Sequence, residues 1–161
     1  MCRGTVRLVA RTRIGLVMGW GALMLGLLGL WGCARERPQL GVHGGRLLPC
    51  PASPNCVSSQ AADDRHRIAP LSVNGEPAQA FWRLRQIVLA RPDATLVEQR
   101  PGYLRVELRT RLFVDDAEFV LDSVNRLIQL RSSSRLGYSD LGTNRRRIEE
   151  IRTAFTQQMP E

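Results

Sequence analysis

The densest set of side chains that could bind a ligand lies between residues 131 and 147, where arginines alternate with serines and other hydrogen-bonding residues. Guanidinium groups grip phosphate or carboxylate oxygens with a fork of donors. Gly137 and Gly142 allow close backbone approach, and a helix start favours negative charge. The candidate residues for an anion site are Arg131, Ser132, Ser134, Arg135, Tyr138, Asp140, Asn144 and Arg145.

A second polar segment, 113–119, contributes Asp115, Asp116 and Glu118 as candidates for a polar network. In a structural interpretation, these carboxylates pair with the arginines of the first segment, while Asp140 and Asn144 cap the following helix. A divalent-metal site is a further alternative. It needs a bulge or turn, because Asp116 and Glu118 share one face of a strand and Asp115 points to the other.

A hydrolase would need Ser132 or Ser134 as nucleophile, His66 as base and an aspartate as orienter. The sequence has no Gly-x-Ser-x-Gly segment, and the charged neighbours of His66 in 63–67 predict a solvated loop. We therefore favour a binding role over catalysis, and we assign no catalytic residue, cofactor or metal.

Cys33 follows an uncharged run, 14–32, which itself follows four N-terminal arginines. A basic start, an apolar run and a small residue at the exit are typical of a secretory signal. Because 30–33 resembles the lipobox of bacterial lipoproteins, we predict a signal peptide over 1–32 and a lipid on Cys33. An uncleaved membrane anchor and ordinary cleavage before Arg35 are the alternatives, and all three place the rest of the chain outside the cytoplasm.

Cys50 and Cys56 remain as an even pair in an oxidising compartment, and they predict a disulfide. Closing a loop this short stabilises the fold by about 2 kcal/mol in the chain-entropy model. A zinc site that joins both cysteines to His43 and His66 is the alternative, although the gap between the cysteines is longer than the usual ligand spacing.

The net charge of the chain limits the classes of binding partner that we expect. Removal of the four arginines in 1–32 lowers the formal charge from +8 to +4, and every basic residue of the chain is Arg. Beside a membrane, positive charge favours an anionic lipid or a cell-wall carboxylate, and nucleic acid is not expected outside the cytoplasm. We expect a membrane-anchored protein that faces the periplasm. Ala34, in place of an aspartate that retains lipoproteins at the inner membrane, favours the outer membrane.

Composition predicts a flexible tether over 33–48, rich in Arg, Pro and Gly, followed by one domain over 49–161 without internal repeats. Apolar residues at helical spacing predict a helix across 80–88, with Pro77 at its start and Pro92 beyond its end. A second helix is predicted over 143–158, with Ile148, Ile151, Phe155 and Met159 on its apolar face and Ser139, Asp140 or Thr143 as its cap.

Period-two alternation predicts four strands between these helices. Two of them, 94–100 and 103–111, flank a Pro-Gly turn, and two more are centred on Phe119 and on 128–130. The predicted fold is α+β, a two-layer sandwich in which both helices pack on one face of a four-stranded antiparallel meander. Leu104, Val106 and Leu108 face the helices in this arrangement.

The opposite face of the predicted sheet is polar, and it is expected to be open. It serves either as a solvated surface with cross-strand ion pairs or as a face that binds an anion. Its residues are Arg105, Glu107, Arg109, Arg111, Glu118, Asp122, Gln129 and Arg131.

Three segments, 50–59, 113–119 and 131–147, resemble in this order the signature stretches of the bacterial domain of unknown function 1499 family. The resemblance covers about residues 49–156. It implies an envelope protein, often lipid-anchored, and it brings no known activity, cofactor or catalytic residue. We expect a binding or assembly module for an anionic envelope component, with a small periplasmic hydrolase or a structural partner of other envelope proteins as the alternatives.

Overall fold

The computed structural model describes residues 37–111 and 113–158. Cys33, the signal peptide and Met159 lie outside the described residues. Pro38–Glu161 forms one compact unit. None of the helices in the described ranges is long and apolar enough to cross a membrane.

The first helix, α1 (Pro77–Leu89), begins where Pro77 follows the N-cap residue Glu76, whose carboxylate accepts the backbone N–H of Gln79 at 2.8 Å. The second helix, α2 (Thr143–Gln157), begins after Asp140. The Asp140 carboxylate accepts the backbone N–H groups of Gly142 at 3.0 Å and Asn144 at 2.8 Å. Both predicted helices are therefore confirmed, and Asp140 binds the first N–H groups of α2 from two residues before the N-cap residue, Gly142.

Four long strands lie between the helices. They are β5 (Ala94–Arg100), β6 (Tyr103–Arg109), β7 (Val114–Asp122) and β8 (Leu127–Ser134), each antiparallel to the next. The sheet is larger than the predicted four strands, because β3 (Cys56–Ser58) and β4 (Leu71–Ser72) both pair with β8. Strands of two or three residues are too short to show an alternating pattern, which is why the sequence did not predict them.

The inner face of the sheet carries the apolar core. Leu104, Val106, Leu108 and Phe119 are fully buried there, as predicted, and they share one cluster with the buried faces of both helices. This placement follows from the two-residue period of a strand.

A small separate sheet, β1 (Val42–His43) with β2 (Arg46–Leu47), lies within the segment predicted as a tether. Leu47 is buried, and its backbone N–H donates to the side chain of Gln60 at 2.8 Å. Tertiary contacts therefore begin before the expected domain start at residue 49.

The outer face of the sheet differs from the prediction, because its centre is buried rather than open. Arg105, Glu107, Glu118 and Arg131 are all less than a tenth exposed, whereas Arg109 and Arg111 at the end of the face are exposed. Gly41 is buried and donates its backbone N–H to Glu118, and the Cys50–Cys56 disulfide ties the following segment to β3. The chain before β3 thus contributes to the cover over this face.

Candidate functional site

A network of paired charges occupies the buried outer face. We call it the outer-face network, and its members are Tyr103, Arg105, Glu107, Asp116, Glu118, Arg131 and Arg135.

Asp116 is the centre of this network. Its carboxylate accepts from Arg105 at 2.8 Å and from Arg135 at 2.6 Å, and Arg135 also donates to Glu107 at 2.7 Å. The hydrogen bonds from Arg135 to Asp116 and Glu107 raise the pKa of that guanidinium group above its ordinary value, although burial opposes them. Arg135 is therefore held by the protein's own carboxylates and is not free to grip a ligand.

Glu118 lies at the other end of the network, next to Tyr103 and Arg131. The Tyr103 hydroxyl donates to Glu118 at 2.8 Å, and the Arg131 guanidinium lies 3.7 Å from the carboxylate. Burial raises the pKa of Glu118 and outweighs the hydrogen bond from Tyr103, and it also raises the pKa of Tyr103 itself. Arg131 is buried beside this carboxylate, its Nε atom has no hydrogen-bond partner among the described residues, and burial lowers the pKa of its guanidinium group.

Asp115 points to the inner face, as the alternation of β7 predicts. It pairs with Arg147 of α2 at 2.6 Å, and Arg147 also lies 3.2 Å from Asp93. Burial alone would raise the pKa of Asp93. The hydrogen bond and charge of Arg91, together with the charge of Arg147, outweigh burial and hold that pKa below its ordinary value. Since Asp115 lies on the opposite face from Asp116 and Glu118, the three carboxylates do not converge on a metal ion.

A polar cluster lies beside this pair on the inner face, and Asn144 is its centre. The Asn144 amide donates to Ser134 at 3.0 Å, to Asp140 at 2.8 Å and to the backbone carbonyl of Asn55 at 3.3 Å. Its carbonyl accepts the Ser132 hydroxyl. These contacts join the start of α2 to β8 and to the segment before β3.

The serines and His66 do not form the arrangement that a hydrolase requires. His66 is buried rather than solvated. Asp63 contacts one of its ring nitrogens at 2.8 Å, and the Ser53 carbonyl contacts the other at 3.1 Å. Ser132 donates to Asn144 instead. Both ring nitrogens of His66 are engaged away from the predicted nucleophiles.

The other candidates for the predicted anion site lie apart. Tyr138 is largely exposed, and Arg145 donates to the backbone carbonyl of Arg65 at 3.0 Å. The structure thus brings Arg131 and Arg135 to the outer face and Ser132, Ser134, Asp140 and Asn144 to the inner face. The eight residues do not surround one ligand.

The predicted disulfide is present, with 5.7 Å between the Cα atoms of Cys50 and Cys56. Because both sulfur atoms are used in this bond, the alternative zinc site is not assembled. No group of three or more metal-ligating side chains occurs in the described part of the chain.

A groove that differs from the outer-face network in its exposure lies between α1 and the β5–β6 hairpin. We call it the Trp82 groove, and it encloses about 360 Å³. Its principal lining residues are Phe81, Trp82, Arg85, Gln99, Arg100 and Leu104. Trp82 is 60% exposed, and none of the described residues that line the groove is acidic.

Comparison with known proteins identifies one family. The pattern of the family described as Protein of unknown function (DUF1499) matches residues 46–155. This chain belongs to that family. No curated protein and no solved structure matches the chain. The matched range includes the outer-face network and the Trp82 groove.

Sequence reasoning missed the groove, although one signal for it was visible. The apolar positions of α1 are 80, 81, 84, 87 and 88, so Trp82 falls on the polar side of that helix, where a large aromatic residue is unexpected. Arg147 was also missed as the partner of Asp115. Its position four residues before Ile151 placed it near the buried side of α2, whereas Arg146 falls on the exposed side.

Proposed function

We propose that this chain is a lipid-anchored envelope protein whose α+β domain binds the anionic surface of a phospholipid membrane through the Trp82 groove. The observation that carries the proposal is an exposed tryptophan beside Arg85, in a groove that Arg100 borders and that has no acidic lining residue among those described.

The two groove arginines are held less tightly than those of the outer-face network. Arg85 donates to the neutral side chain of Gln99 at 2.8 Å. Arg100 is 54% exposed, its ion pair with Glu98 at 2.7 Å is also exposed, and its guanidinium lies over the Tyr103 ring, 4.6 Å from the ring centroid. Exposed pairs are worth at most about 1 kcal/mol, so a phosphate group can replace Glu98 at small cost.

Trp82 supplies the apolar part of the contact. An indole ring combines a large apolar surface with one N–H donor, and tryptophan is therefore enriched where a membrane meets water. Left in water on the polar side of α1, the ring loses the hydrophobic contribution that contact with lipid would provide.

Chain length supports a position near the membrane. Gly41 lies against Arg100, because a Cβ atom built on Gly41 would be 3.7 Å from its guanidinium group. Gly41 lies eight positions after Cys33, the predicted lipid site, and eight positions span at most about 28 Å when fully extended. A lipid on Cys33 would keep the groove within that distance of the bilayer.

The test measures whether Trp82 contacts lipid. The full chain is placed in nanodiscs of phosphatidylcholine, with or without phosphatidylglycerol, that carry bromine on the acyl chains to quench tryptophan fluorescence. The chain has three tryptophans, so the difference between the wild type and Trp82→Phe isolates the signal of Trp82. We expect Trp82 to be quenched when phosphatidylglycerol is present and much less in phosphatidylcholine alone.

The double variant Arg85→Gln/Arg100→Gln should lose most of that quenching. Arg65→Gln/Arg146→Gln is the matched control, because it removes the same charge from exposed residues that do not line the groove. Trp82 that stays unquenched in phosphatidylglycerol, or equal loss in both double variants, would refute the proposal. Binding of soluble cell-wall fragments without lipid contact would also refute it.

A further inference from the structure

A second cavity lies at the start of α2, beside the ends of β7 and β8, and encloses about 250 Å³. We call it the Asp115 cavity. Its polar lining includes Asp115, Ser134 and Asp140, and its apolar lining includes Phe113, Leu136 and Leu141.

Asp115 has an unused acceptor at this cavity. The residue is 1% exposed, and its Oδ2 atom accepts from Arg147 at 2.6 Å. Its Oδ1 atom is buried and has no hydrogen-bond partner among the described residues. A buried carboxylate oxygen without a donor is unfavourable, so a ligand that donates to Oδ1 gains more than it would at an exposed carboxylate.

The charge of the lining decides which ligand fits. A helix start ordinarily favours an anion, but at α2 the Asp140 carboxylate already accepts the backbone N–H groups of Gly142 and Asn144. The described lining residues include two carboxylates, those of Asp115 and Asp140, and no arginine, although Arg147 pairs with Asp115 from outside the lining. The cavity is therefore suited to a positively charged donor and unsuited to a second anion.

An apolar rim surrounds the carboxylates. Phe113 is 45% exposed, Leu136 is 49% exposed and Leu141 is 89% exposed. Leu141 also has a φ of 52°, a left-handed conformation that is unfavourable for a leucine. These three side chains offer a surface to the hydrocarbon part of a ligand.

We infer that the Asp115 cavity binds an organic ammonium ion, a primary amine carried on a short apolar body. The ammonium group donates to Oδ1 of Asp115, and the apolar body packs against Phe113, Leu136 and Leu141. This inference is independent of the Trp82 groove, whose described lining has the opposite charge.

The test uses butylammonium chloride as the probe, with butanol and sodium butyrate as neutral and anionic controls. The full chain, labelled with ¹⁵N and held in nonionic detergent, is titrated while amide chemical shifts are followed. We expect saturable shifts in 134–143 with butylammonium, binding about tenfold weaker with butanol, and none with butyrate.

Two variants locate the binding. Asp115→Asn keeps the shape and removes the charge, so butylammonium should bind about tenfold more weakly. Because this change also disturbs Arg147, a second variant is needed that spares the fold. Leu141→Asn removes the exposed leucine and suits the left-handed conformation, so affinity should fall about threefold without loss of folding.

Val124→Asn is the matched control for Leu141→Asn. Val124 is also 89% exposed, lies in the β7–β8 turn and does not line the cavity, so butylammonium affinity should be unchanged. Absence of saturable shifts, equal affinity for butanol, or shifts centred elsewhere would overturn the inference. So would unchanged affinity in Leu141→Asn.

Discussion

The outer-face network and the Trp82 groove both contain arginines, but these arginines differ in burial and in the partners that they contact. Arg131 and Arg135 are buried against carboxylates of neighbouring strands, whereas Arg85 meets a neutral side chain and Arg100 meets an exposed glutamate and the Tyr103 ring. Burial of an ion pair requires close partners, while an exposed arginine keeps its charge available. An arginine is therefore available to bind an external anion only where no buried carboxylate of the fold already pairs with it.

The largest expected effect separates these two regions by stability. Asp116→Ala leaves Arg105 and Arg135 buried without their shared partner, and it should lower the free energy of unfolding by about 3 to 5 kcal/mol. Glu98→Ala removes the exposed partner of Arg100 and should cost less than about 1 kcal/mol. Urea unfolding of the full chain in nonionic detergent measures both.

Similar losses in Asp116→Ala and Glu98→Ala would contradict the distinction between the two regions. The variant pair is a matched comparison, because each change removes one carboxylate from beside an arginine of the same sheet.

A smaller effect on the stability of the fold is expected from a change of pH. Because burial raises the pKa of Glu118 in the fold above its ordinary value of about 4.5, the folded chain holds this proton to a higher pH than the unfolded chain. Stability from this group is therefore present at low pH and is lost as the pH rises above about 4.5. Glu118→Gln cannot titrate, so the stability of the wild type relative to this variant should fall with rising pH.

Urea unfolding of both proteins between pH 4 and pH 8 measures that difference. Parallel stability curves would show that Glu118 titrates alike in the folded and unfolded chains. This comparison also removes the contribution of other titrating groups, such as Asp93, because both proteins contain them.

The smallest expected effect concerns the groove. Arg85→Gln/Arg100→Gln should change the free energy of unfolding by no more than about 0.5 kcal/mol, because neither arginine is buried in the core. The same variant is expected to lose lipid contact. A loss above about 2 kcal/mol, measured by urea unfolding, would mean that these arginines stabilise the fold.

The long elements of the fold were predictable because each carries its own pattern. Apolar residues at three-to-four spacing predicted α1 and α2, and alternation in 94–100 and 103–111 predicted β5 and β6, of which β6 ends earlier, at Arg109. The cover over the outer face was not predictable. The segment from Gly41 to Cys50 is short, its strands β1 and β2 have two residues each, and its contacts with the sheet depend on residues far away in the chain.

In the candidate site as well, some features were predictable from the sequence and others were not. Alternation placed Asp115 on the opposite face from Asp116 and Glu118, and the structure confirms it. The residues predicted as one anion site over 131–145 lie apart in the structure, because β8 sends its side chains to both faces and the opposing carboxylates pair with the buried arginines. Only the register between β6, β7 and β8 determines these partners.

Local sequence was sufficient for the helices, the long strands, the inward and outward alternation, the disulfide and the family. Each of these depends on residues within one segment or on a short pattern. The pairing of Arg147 with Asp115, the contact of Gly41 with Glu118 and the two oppositely charged cavities required the folded chain. Such contacts join residues tens of positions apart, and their distances follow from strand register and helix packing rather than from any local preference.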